Sequence, residues 1–95
     1  MVVAPMTPQD RAQYLREAGW HRSTDYPMHW VWKGILYHEA AAYRLQRSRD
    51  RRMLRARGWL FNGKLWERIE GNYSHIATFD RAVAIERAQG NGGVK

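Results

Sequence analysis

Seven arginines fall between positions 44 and 57 (Arg44, Arg47, Arg49, Arg51, Arg52, Arg55 and Arg57), and Asp50 is the only acid among them. The chain of 95 residues carries 16 Lys+Arg against 9 Asp+Glu, a formal charge of +7, so nearly all of the excess sits in this one segment. Arginine outnumbers lysine 13 to 3. Its planar fork of donors suits phosphates, carboxylates and base edges, whereas lysine would have served solubility as well. Arg44, Arg47, Arg51 and Arg55 follow steps of three, four and four, which places them on one face of a helix. At ~1.5 Å per residue that face is roughly 16 Å long, enough to meet several backbone phosphates. A solvated helix face or an acidic protein partner would account for the same pattern.

The aromatic residues offer a second chemistry. Trp30, Trp32 and Trp66 are interleaved with His29, Lys33, Lys64 and Arg68. Exposed aromatics beside cations are what single-stranded nucleic-acid platforms use to stack bases, and core packing is the competing role. Trp20 and Trp59 each follow a glycine that ends a helical stretch, which favours packing. The candidate binding set is therefore Arg44, Arg47, Arg49, Arg51, Arg52, Arg55, Lys64 and Arg68, with Trp30, Trp32 and Trp66 as candidate stacking residues.

Catalytic chemistry finds little support. His21, His29, His38 and His75 lack a metal-ligand spacing, and there is no cysteine. Glu67 and Glu70 lie three apart in an expected strand, so they point to opposite faces and cannot work as a carboxylate pair. Ser74, His75 and Asp80 match no triad motif, and no glycine-rich phosphate loop opens a helix. The expectation is a non-enzyme without metal or cofactor.

These residues need elements to hold them. Thr7-Pro8-Gln9-Asp10 reads as a capped helix start, and that helix runs to about Ala18 with Gly19 as its left-handed stop. Residues 29–33 read as a strand with Trp30 and Trp32 on one face. Residues 38–57 contain no Gly or Pro and read as one long helix, or two joined near Ser48–Asp50, closed by Gly58. Asn62-Gly63 predicts a two-residue hairpin turn, with Trp66 to Ile69 as its return strand. Gly71-Asn72 is a second turn, Tyr73 to Phe79 a third strand, and Asp80 the cap of a last helix over residues 81–89. Residues 90–95 are expected to be a disordered tail.

Leu15-Arg16-Glu17-Ala18-Gly19-Trp20 is echoed by Leu54-Arg55-Ala56-Arg57-Gly58-Trp59. The fold class expected from this is α+β: a tandem helix–β-hairpin–helix repeat forming a small antiparallel sheet packed on helices, in a single domain over residues 1–89. Repeat one covers about 8–46 and repeat two about 50–89. No apolar run is long enough for a membrane span, and the opening residues lack the charged region of a signal peptide, so a cytoplasmic location is expected.

Gly63-Lys64-Leu65-Trp66-Glu67-Arg68-Ile69, followed by residues 73–82, resembles a small DNA-binding fold. It is similar to the three-stranded-sheet-plus-helix domains of plant ethylene-response transcription factors and the amino-terminal arms of tyrosine recombinases. The resemblance covers about residues 59–89 and implies that Lys64, Trp66 and Arg68 lie on the strand facing bases or phosphates. A leading helix before each hairpin is foreign to that pattern.

The expected function is a small basic nucleic-acid-binding protein, DNA being favoured over RNA, monomeric or homodimeric, with no membrane partner. The alternative is a phage- or plasmid-type inhibitor or adaptor that docks its arginine surface on an acidic or nucleic-acid-binding host protein.

Overall fold

The computed structural model describes residues 7–93. Among these residues the fold is α+β, as expected, with three helices and two three-stranded antiparallel sheets in place of one small sheet. It divides into two compact units, residues 1–48 and 49–95.

The first unit opens with α1 (Pro8–Glu17), started by a capping box. The Asp10 N–H donates to Thr7 Oγ1 at 3.1 Å, and the Thr7 N–H donates back to Asp10 Oδ2 at 3.2 Å. The helix stops where expected, because Gly19 takes φ +102°, a left-handed conformation that other residues adopt only under strain. A meander follows: β1 (His21–Arg22), β2 (His29–Trp32) and β3 (Ile35–His38), in that spatial order. Trp30 and Trp32 alternate with Val31 and face inward, which builds a core of Ala12, Tyr14, Leu15, Trp20, Trp30 and Ala42. Trp32 and Tyr37 pack at its margin against Trp20, with ring centroids 5.2 and 5.4 Å away.

Residues 39–56 form a single unbroken helix, α2 (Glu39–Ala56), which decides between the one-helix and two-helix readings. Its start is held by His38, whose Nδ1 accepts from the Ala40 N–H at 3.2 Å.

The second unit continues through β4 (Leu60–Phe61), β5 (Trp66–Glu70), β6 (Tyr73–Ala77) and α3 (Phe79–Gly93). Its core is Leu54, Trp59, Trp66, Ala77, Ala82 and Val83. Three local expectations need correction. The Asn62-Gly63 hairpin is not a two-residue turn: Phe61 pairs with Trp66, so residues 62–65 form the loop. Asn62 acts there through its side chain, Oδ1 accepting from the N–H groups of Lys64 and Leu65 at 3.0 and 2.9 Å. The residue capping α3 is Thr78 rather than Asp80, since Thr78 Oγ1 accepts the Arg81 N–H at 3.3 Å. Finally, α3 continues through residues 90–93, where a disordered tail was expected; residues 94–95 lie outside the described residues.

Candidate functional site

The seven arginines of residues 44–57 have different fates. Arg47 is half-buried and lies over the rings of Tyr14 and Tyr43, its Cζ 5.6 and 5.4 Å from their centroids. Arg49 is half-buried as well. Arg57 pairs with Glu86 at 3.3 Å. Arg55 is exposed and rests over the Trp66 ring at 6.0 Å. Arg44, Arg51 and Arg52 are exposed and meet no acidic side chain among the described residues. Lys64, on the β4–β5 loop, is exposed in the same way.

Of the acids in reach of α2, each buried one is already committed. Asp50, the single acid of the arginine segment, accepts from Arg87 at 3.1 Å. Glu39 is 4% exposed and takes the Trp30 indole N–H at 2.9 Å, Arg22 at 3.4 Å and Arg11 at 3.9 Å. Glu86 is 3% exposed and accepts from the Trp59 indole at 2.8 Å, Arg68 at 2.6 Å and Arg57 at 3.3 Å. Burial raises the Glu86 pKa, but the hydrogen bonds from Trp59 and Arg68 and the charges of Arg68 and Arg57 outweigh it, so the carboxyl titrates below its ordinary value of 4.5.

Arg68 therefore changes role. Its guanidinium spans Glu86 and Glu70, the latter at 2.7 Å, and its side chain is only 19% exposed. It is an interior ion-pair residue whose charge is cancelled, and it is withdrawn from the binding set. Trp30 and Trp66 are withdrawn from the stacking set for a parallel reason: both are core residues, 0% and 4% exposed, and cannot present a face to a base. Trp32 is partly buried against Trp20.

Phe61 was missed. It is 53% exposed, backed by the Trp66 ring at 5.4 Å, and Arg55 lies against that same indole. Strand alternation could not have found it, because Phe61 stands opposite Trp66 in the β4–β5 register and so shares the sheet face of that buried ring. Arg16 and Arg22 were also missed, since the charge count drew attention to the densest run; both guanidiniums lie over Trp30, at 5.7 and 5.2 Å.

Among the described residues, no group of three or more His, Cys, Asp or Glu side chains is placed to hold a metal ion. No helix among them is long and apolar enough to cross a membrane. Comparison of the chain with protein-family models, with curated proteins and with solved structures finds no match.

Proposed function

We propose that this chain is a non-enzymatic, cytoplasmic nucleic-acid-binding protein whose exposed α2 arginines hold backbone phosphates, with DNA favoured over RNA. One observation carries the reading. Arg51, Arg52 and Arg55 are exposed and meet no carboxylate among the described residues, while the buried acids Asp50 and Glu86 are occupied by other arginines. An external polyanion supplies the negative charge that the described residues do not bring to these arginines. Phe61, exposed against the same Trp66 ring that Arg55 overlies, gives one base a stacking face, which favours a single strand over a duplex.

Fluorescence anisotropy with single- and double-stranded oligonucleotides across a salt series tests this. Three phosphate contacts from Arg51, Arg52 and Arg55 give a log–log salt slope of about −2 on single strands. Affinity then falls about twentyfold from 50 to 200 mM salt. Arg51→Glu with Arg52→Glu removes most of that slope. No binding of either probe by the wild type at low salt overturns the proposal and leaves an acidic host protein as the partner to seek.

A further inference from the structure

We propose a second anion site, in the first unit, where Arg16 and Arg22 receive a phosphate monoester. These two guanidiniums line one open cleft of about 210 Å³ between α1 and β1, together with Pro8, Gln9 and Ala12. Both are held by the same indole: Trp30 is fully buried, and its N–H is anchored on Glu39. Two like charges thus lie on the walls of one cleft, over one buried ring. The negative charge provided for them is small. Arg22 reaches Glu39 at 3.4 Å, but that carboxylate already serves Trp30 and Arg11. Arg16 meets no acidic side chain among the described residues.

The missing partner has a definable chemistry. A carboxylate brings one negative charge, whereas a phosphate monoester brings about −1.5 to −2 at neutral pH and three acceptor oxygens for two guanidinium forks. The cleft is smaller than the ~300 Å³ at which pockets begin to enclose a whole small molecule. It fits a terminal phosphate whose ester substituent stays in solvent. Among the described residues of the second unit the arrangement is absent: its buried strand indole, Trp66, carries one guanidinium, Arg55, and the phenyl rings of Phe61 and Phe79. The site uses none of the exposed α2 arginines, so it does not depend on the function proposed above.

The same chemistry is offered by free phosphate and by the 5′ end of a nucleic-acid strand. Three probes separate them: inorganic phosphate, a 5′-phosphorylated tetranucleotide, and the same tetranucleotide with a 5′-hydroxyl. The readouts are affinity and the NMR position of the Trp30 indole N–H, which belongs to the ring that both guanidiniums overlie. The phosphorylated strand is expected to bind about tenfold tighter than the hydroxyl strand and to shift that resonance. The tenfold gap should vanish in Arg16→Ala with Arg22→Ala, persist in Arg51→Glu with Arg52→Glu, and be partly restored by Arg16→Lys with Arg22→Lys. An unperturbed Trp30 resonance in the unliganded alanine variant certifies its fold; if it moves, the lysine variant carries the test. A shift produced by inorganic phosphate alone identifies free phosphate as the ligand, and a shift only with the phosphorylated strand identifies a strand end. Equal binding of the two strands with no effect of phosphate overturns the site while leaving the α2 proposal intact. A phosphate-driven shift without any binding of the hydroxyl strand supports the site and counts against the α2 proposal.

Discussion

Glu86→Gln isolates the charge at the centre of the second unit without changing its shape. The glutamine carbonyl can still accept from the Trp59 indole and from Arg68, which the carboxylate holds at 2.8 and 2.6 Å. Both bonds pass from charge-assisted to neutral acceptors, a loss of about 1 kcal/mol each. Arg57, with half of its side chain exposed, adds little because water screens and replaces its contact. The expected destabilisation is therefore about 2 kcal/mol at neutral pH. With a urea m-value of about 1 kcal/mol/M for a chain of this size, the midpoint falls by about 2 M. The pH dependence gives the sharper test. Because the folded carboxyl titrates below its ordinary 4.5, its contribution is complete above that value and is lost as pH falls through the lower, folded one. Tryptophan-detected urea melts should show a constant gap between wild type and variant near neutrality. The gap should shrink below pH 4.5 as the wild-type carboxyl is protonated. A neutral-pH gap under about 0.5 kcal/mol, or one that stays the same in acid, refutes the assignment of Glu86 as a charged anchor.

Four further substitutions have outcomes set by particular contacts. Gly58→Ala meets only ordinary packing, 3.9 Å from Arg68 Cγ, and pays the left-handed backbone penalty of about 1–2 kcal/mol. Gly19→Ala adds a 3.3 Å contact with the Trp32 ring, so its melting temperature should fall further than that of Gly58→Ala. Asn62→Ala removes both Oδ1 bonds that shape the β4–β5 loop and should cost about 1 kcal/mol in thermal melts. Phe61→Ala should weaken single-strand binding by about 1–3 kcal/mol while leaving duplex binding nearly unchanged, measured by anisotropy.

Much of the fold was legible in the sequence because the deciding interactions are local. The Thr7 capping box, the glycine stops at 19 and 58, and the inward alternation of Trp30 and Trp32 each involve residues a few positions apart. The Asn62 loop was misread because Asn-Gly admits two solutions, one through backbone φ and one through the asparagine side chain, and pairing with Trp66 selects between them. The site was less legible for a different reason. Composition counts charges, whereas function depends on which charges remain uncancelled. Arg68 and Arg57 share the carboxylate of Glu86, which lies 18 and 29 residues away, and Arg47 is drawn onto Tyr14 from another helix. Such long-range pairings leave no periodic trace. Burial likewise turned Trp66 inward and left the smaller Phe61 as the accessible ring.

Both sheets are meanders, and every strand pairs with its neighbour in the chain; the widest pairing, Trp66 with Ala77, spans eleven residues. Loop-closure entropy is therefore small at each step. A topology of this kind belongs with fast folders, in which each sheet can assemble as soon as its own segment has been synthesised. The apolar strand residues Leu60, Ile69 and Ile76, exposed in the finished sheet, then spend little time beside unpaired backbone, which limits their opportunity to recruit other chains during synthesis.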